Sequence, residues 1–309
     1  VTTPVLIDCD PGHDDAIALL LALASPELEL LGVTTVAGNS TLEKTTANAI
    51  RVLELAGRPD VSVAAGAARP LVREPFVAAY VHGESGLDGP ALPPARTPPV
   101  DEHAVDFLAE RILGFPARTT LVPTGPLTNI ALLLAIRPEV GERIERIVLM
   151  GGATGEGNVT PAAEFNVWAD PEAAARVFDS GLDVTMVGLD VTHCAVVTAE
   201  HAGRLRRAGR IGAVVADLLE FYGRFHAETY GFAGSPVHDA VALAHVVDPS
   251  LLTTLERHVA VECGSELSRG RTLVDLWRRT GRAPNVRVAV GIDADRFLEL
   301  LVSRLMALR

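Results

Sequence analysis

Four carboxyl groups fall within eight residues near the start of the chain, in Asp8-Cys9-Asp10-Pro11-Gly12-His13-Asp14-Asp15. Packed so closely, they repel one another unless protons or a cation neutralise them. A cation is the simpler answer. Every plausible donor is oxygen, so a hard ion, calcium or magnesium, suits the set better than zinc. An EF-hand loop is excluded: counting from Asp8, the sixth position is His13 where glycine is needed, and the twelfth is Leu19 where glutamate is needed. Farther on, His238-Asp239 joins an imidazole to a carboxylate, a pair that could supply a proton donor and a metal ligand. Glu164 and Asn166 alternate around Phe165 and would face one side of an extended segment.

The same residues also have purely structural readings. Asp14 and Asp15 precede an apolar helix, where carboxylates cap the N-terminus and favour its dipole. Asp8 is expected to accept backbone hydrogen bonds and tie down its loop. Asn39 suits a turn after Gly38. Asp239 could cap a helix beside a core histidine, and Glu164 with Asn166 could mark no more than a wet surface. Asp10 has no such reading. His103, His201, His245 and His258 sit in helical or strand patterns and are expected to be structural, whereas His13, His82 and His226 lie in or near loops and stay open.

The elements that must position these groups alternate along the chain. Short β-branched runs at Val5 to Ile7, Leu31 to Val36, Thr119 to Val122, Ile147 to Met150 and Val184 to Leu189 read as strands. Helical patterns follow at Asp15 to Ala24, about Thr41 to Ala56, Leu127 to Ile136 and Ala240 to Val247. This βαβ alternation predicts an open, mostly parallel sheet with helices on both faces, a Rossmann-like α/β architecture, formed by residues 1–309 as a single domain. Ligands of such sheets bind beyond the carboxyl ends of the strands. Those ends are polar here: the Asp8 to Asp15 cluster, Gly38-Asn39, Thr124-Gly125, Met150-Gly151-Gly152 and Asp190. The stretch His82 to Pro99 reads as a long loop, and a second, glycine-rich loop runs from Gly151 to Asn158.

Composition narrows the partners. The formal charge of -12 makes nucleic acid or an anionic membrane an unfavourable partner. The apolar run Ala16 to Ala24 is well short of the ~18 residues that suggest a membrane span. With no charged and then apolar leader, a soluble cytoplasmic protein is expected. Three widely spaced cysteines, Cys9, Cys194 and Cys263, fit neither a disulfide framework nor a CxxC zinc site. Lys44 is the only lysine. That matters for one competing reading, an aspartyl-phosphate phosphatase, which needs a hydroxyl residue at position 12, occupied by Gly12, and a downstream lysine. The glycine-rich loops also lack a nucleotide phosphate-loop pattern.

These motifs resemble those of the nucleoside hydrolases, which cleave inosine, uridine and related ribonucleosides. The resemblance is carried by the Asp8 to Asp15 cluster, Val36-Ala37-Gly38-Asn39, His82-Gly83-Glu84-Ser85-Gly86, Val122 to Asn129, Val148 to Gly152, Ala163 to Asn166 and Val237-His238-Asp239, in family order along nearly the whole chain. It implies a calcium ion bound by Asp10, Asp15, Asp239 and the carbonyl of Thr124, with water activated at the metal by Asp10 as general base. It also implies ribose contacts from Asp14, Asn39, Asn158, Glu164 and Asn166, with Met150 nearby through its backbone, and protonation of the leaving base at His238. The implied assembly is a homodimer or homotetramer acting on small ribonucleosides. The segment Phe221 to Tyr230 is similar to the helix that lines the family's base pocket, but has His226 where relatives place tyrosine or glutamine. His82, His226 and Tyr230 are therefore the expected base contacts, and the Gly86 to Pro90 continuation resembles pyrimidine-leaning members.

The chemistry is coherent. Breaking a ribosyl C–N bond develops oxocarbenium character, which an anionic pocket stabilises. A histidine of pKa near ~6.5 could give the departing base a proton at neutral pH. A non-catalytic nucleoside or ribose sensor with structural calcium is the alternative of a different class.

Overall fold

The computed structural model describes residues 2–308. Its centre is an eight-stranded sheet of β1 (Thr3–Cys9), β2 (Leu28–Thr35), β3 (Val63–Ala65), β4 (Thr119–Pro123), β5 (Ile144–Met150), β6 (Val184–Val187), β7 (Leu252–Arg257) and β8 (Val286–Ile292). The spatial order is β3-β2-β1-β4-β5-β6-β8-β7. All neighbours run parallel except β7, which pairs antiparallel with β8 at the edge. The open parallel α/β sheet expected from the sequence is thus present, with an antiparallel edge strand in addition.

Alternation within each strand builds two apolar layers. Val5, Ile7 and Cys9 of β1 join one buried cluster while Leu6 joins the other. Each face must then be covered by helices, because a parallel sheet buried on both sides needs crossover connections. Seven helices bear on the site: α1 (His13–Leu23), α2 (Leu42–Leu55), α3 (Thr128–Ile136), α4 (Phe165–Ala169), α5 (Leu189–Thr192), α6 (Arg210–Tyr230) and α7 (His238–Val247). Residues His13 to Ala22 of α1 are all buried, and the helix packs against α7. A helix so apolar on every side is stable only inside a core.

Chain order reverses between β1 and β4. From β1 the sheet grows outward through β2 and β3 on one side and through β4, β5 and β6 on the other. The crevice at such a switch point is where the loops after neighbouring strands diverge and leave room for a ligand. The Asp8 to Asp15 turn and Thr124-Gly125 both leave the sheet at this point.

Several boundaries differ from expectation. Residues 83–99 do form an irregular loop, but His82 closes a short helix, Ala79–His82. The run expected as one strand from Val184 to Leu189 ends at Val187, because Gly188 turns the chain and Leu189 begins α5. Among the described residues no helix is long and apolar enough to cross a membrane.

Candidate active site

The site starts with the turn between β1 and α1. Asp15, in the first turn of α1, accepts from the Gly12 amide at 3.0 Å, which closes the helix start. The same carboxylate accepts from Thr124 Oγ1 at 2.8 Å and Asn39 Nδ2 at 3.1 Å, so the loops after β1, β2 and β4 are pinned to one group. Asp10 is completely buried, and its Oδ2 accepts the Asn39 amide at 2.6 Å. Its Oδ1 has no hydrogen-bond partner among the described residues. A Cβ on Gly38 would lie 2.1 Å from Asp10 Oδ2, and one on Gly125 would lie 2.5 Å from Oδ1. Only glycine lets both backbones come so close to the carboxylate.

Oxygens of Asp14, Asp15 and Asp239 lie within 4.8 Å of one another. Asp239 reaches this cluster from the first turn of α7. The three carboxylates are buried, and no ion pair among the described residues reaches them or Asp10. Burial raises the pKa of all four above the usual aspartate range, and neighbouring carboxylates push those of Asp10, Asp14 and Asp239 higher still. The group differs from the ligand set that the resemblance implies: Asp14 stands beside Asp15 and Asp239, and Asp10 lies next to them without joining the close cluster.

Asp14 and Asp239 border a cavity whose polar lining also includes Asn39, Thr124, Met150, Asn158, Glu164 and Asn166. Asn166 Nδ2 donates to the Thr124 carbonyl at 2.8 Å and to the Met150 carbonyl at 3.1 Å. Glu164, the N-cap of α4, accepts from the amides of Gly152 (2.8 Å), Asn166 (2.9 Å) and Val167 (3.1 Å). Despite these donors, burial pushes its pKa up to about 7. Asn158 Oδ1 accepts the Phe165 amide at 2.9 Å, and the Asn158 carbonyl accepts from the Tyr230 hydroxyl at 3.1 Å.

Much of the remaining lining is histidine and aromatic: Tyr80, His82, His193, Tyr222, Phe225, His226, Tyr230 and His238. Burial holds the pKa values of His82 and His238 well below the usual histidine value and that of His226 at about 4. Burial thus favours the neutral ring over the imidazolium form that the sequence reading uses at His238. Two further expectations change. Asp8 takes side-chain rather than backbone donors, Thr34 Oγ1 at 2.6 Å and Asn129 Nδ2 at 2.8 Å. Asp190 is exposed and outside the cavity, and it holds the glycine-rich loop through Thr154 and Gly155. His13 is a packing residue, stacked between His82, Phe221 and Tyr222, with Nε2 2.8 Å from the Asp88 carbonyl.

The sequence profile of the inosine-uridine preferring nucleoside hydrolases matches residues 5–299. The chain belongs to the nucleoside hydrolase family. It is 51% identical over 304 residues to a pyrimidine-specific ribonucleoside hydrolase, RihA, of Citrobacter koseri, covering 98% of this chain and 97% of the relative. The RihA of an Escherichia coli O8 strain is also 51% identical, over 98% of both chains. Among solved structures, a plant nucleoside hydrolase, the PpNRh1 enzyme, superposes with a TM-score of 0.94 at 36% identity, covering 99% of this chain and all of the other. A purine-preferring ribonucleoside hydrolase from Gardnerella vaginalis gives 0.94 at 37% identity, over 99% of each chain. As a nucleoside hydrolase, this protein is an enzyme that cleaves the N-glycosidic bond of ribonucleosides.

Residues that sequence reasoning passed over are Tyr222, His193, Tyr80 and Phe225. Tyr222 had a signal: Tyr222, His226 and Tyr230 recur every fourth residue on α6 and so share a face. His193 and Tyr80 had none, since tertiary packing alone brings them to the wall.

Proposed function

We propose that the chain hydrolyses pyrimidine-leaning ribonucleosides, uridine and cytidine above all, to free base and ribose, with calcium as its metal. The observation that carries this reading is the meeting of Asp14, Asp15 and Asp239 oxygens within 4.8 Å at a polar cavity, beside an Asp10 oxygen without a hydrogen-bond partner among the described residues. The residues fit a hard cation: an all-oxygen set, buried, anionic and without a basic partner. Asp10, Asp15, Asp239 and the Thr124 carbonyl would hold it, with Asp14 close enough to join. When bound, the ion supplies a hard Lewis acid that acidifies water and grips the vicinal hydroxyls of ribose.

Asp10 Oδ1 is the free acceptor for the proton that the attacking water gives up, a general-base role worth ~10²–10⁴-fold. Asp14, Asn39, Asn158, Glu164 and Asn166 orient the sugar, and the anionic members stabilise the positive charge that grows at the anomeric centre. His238, with His82, His226 and Tyr230 around it, faces the departing base. Pyrimidine preference draws support from the relatives at 51% identity, whereas purine-preferring structures stand at lower identity. Residues 1–309 act as one unit in this reading, because the acids come from the turn after β1 and from α7, segments far apart in sequence whose helices pack together. The sensor alternative gains no support, since the relatives named above are hydrolases.

The test is ribose release from uridine, cytidine and inosine, with calcium or with chelator, by wild type and Asp10→Ala. Turnover of uridine that calcium restores after chelation, and that Asp10→Ala loses at least ~10³-fold, is expected. Full activity in chelator, or an active Asp10→Ala, would overturn the assignment.

A further inference from the structure

The buried hydroxyl of Thr192, on α5, has one hydrogen-bond partner among the described residues, the Nδ1 of His238 at 2.7 Å. A buried O–H is costly to leave undonated, and Nδ1 is the acceptor within reach. A neutral imidazole carries one proton, so an accepting Nδ1 puts it on Nε2. That nitrogen makes no hydrogen bond to the described residues, is not among the sealed polar atoms, and belongs to a ring lining the cavity. Thr192 is itself held firmly: its amide donates to the Gly188 carbonyl at 3.2 Å, its carbonyl accepts from Ala195 at 3.0 Å, and the neighbouring His193 ring stands edgewise against His238.

His226 is held the other way. Its Nδ1 lies 3.0 Å from the Tyr222 carbonyl, an oxygen that can only accept. The proton is therefore on Nδ1, and the unbonded Nε2 offers a lone pair. The two rings stand 6.1 Å apart, centroid to centroid, and both line the cavity.

We propose that Thr192 and the Tyr222 carbonyl fix His238 and His226 in opposite tautomers, so that the base pocket presents one N–H donor and one nitrogen acceptor. The matching ligand is a nucleobase edge with a carbonyl beside an N–H, as in uracil. This deepens, and rests on, the reading of the cavity as a nucleoside hydrolase site. Thr192 is a positioning residue that acts through His238: as the C–N electron pair leaves with the base, the Nε2–H meets the charge building on the base carbonyl. The opposite tautomer would set a lone pair against that charge. His226 acts in specificity, accepting from the ring N–H.

The two tautomers are read directly by two-bond ¹H–¹⁵N correlation spectra of the full chain, histidine-labelled and calcium-loaded, with signals assigned by His238→Asn and His226→Ala. The expected wild-type pattern is Nε2–H for His238 and Nδ1–H for His226. Thr192→Val is expected to lose the fixed His238 pattern and to lower kcat on uridine ~10-fold or more with KM within ~3-fold, while Thr192→Ser restores both. Nitrophenyl riboside, whose leaving group needs no donor, is expected to be spared. Wild type is expected to prefer uridine to 3-methyluridine by ~10-fold or more, and His226→Ala to abolish that preference. A wild-type His238 carrying its proton on Nδ1, a folded Thr192→Val with wild-type kcat on uridine, or a preference that survives in His226→Ala would each overturn the proposal. Should wild type release no ribose from any nucleoside, the functional reading falls, and the spectra still decide the tautomers because they need no turnover.

Discussion

At the scale of single residues, Glu164 couples stability to function. Burial lifts its pKa to about 7 against three amide donors, so the folded protein holds a proton there that the unfolded chain has released. A folded value above the unfolded one means that the group's contribution to stability is complete below pH ~4.5 and is lost as pH rises through about 7. Glu164→Gln removes the titration but turns an NH2 toward at least one of the amides that the two carboxylate oxygens accept, so it starts at a deficit. Its stability relative to wild type should therefore rise by up to ~3 kcal/mol between pH 5 and pH 8 in denaturant unfolding, while turnover is lost because an amide cannot balance charge on the sugar. A stability difference that stays constant across that range would show that the burial cost is not felt. The acids of the site could be read from the sequence because crowded carboxylates demand a neutralising partner wherever they fold. The wall of rings could not: Thr192, His193 and Tyr80 carry no local pattern, and their positions depend on how α5, α6 and the 79–82 helix pack.

At the scale of elements, the alternation of strands and helices was legible because hydrophobic period changes from two to 3.6 are strong local signals. Ends were less so. The strand β5 begins at Ile144, three residues before the apolar run that announces it, because pairing with β4 extends through Arg146 to Ile144, with Glu145 bulged between them. The edge pair β7 and β8 went unread, since alternating segments such as Leu252–Arg257 become strands only when a partner is present. The turns that hold Asp10 depend on glycine for reasons of space. An added methyl at Gly125 would meet Asp10 Oδ1 at 2.5 Å and Val36 Cγ1 at 3.0 Å, so either the carboxylate or the loop after β4 must move. Gly125→Ala is expected to keep its circular dichroism spectrum yet lose ~10²-fold or more in kcat, the usual result of displacing a reacting group by about an ångström. Wild-type turnover in Gly125→Ala would mean that Asp10 tolerates the shift and is not the base.

At the scale of the whole molecule, a chain of net charge -12 buries Asp10, Asp14, Asp15 and Asp239 at one crevice, and no basic side chain among the described residues pairs with them. Without a cation the folded state can keep these groups only by protonating them, which the raised pKa values express. A divalent ion that binds there grips residues 14 and 15 at one end of the chain and Asp239 far along it, so its binding energy belongs to folding as much as to catalysis. Calcium should thus raise the unfolding free energy along a saturation curve, by ~2.7 kcal/mol when its concentration reaches a hundred times the dissociation constant. The sign with pH follows from competition with protons: the ion must displace them from carboxylates that hold them too tightly, so the gain should be larger at pH 8 than at pH 6. Asp239→Asn removes one charged ligand while keeping the shape of the turn before α7, and should flatten both the calcium and the pH dependence. Thermal unfolding of wild type and Asp239→Asn across a calcium series at the two pH values checks this, and a melting temperature indifferent to calcium and to chelator would mean that no ion joins these segments.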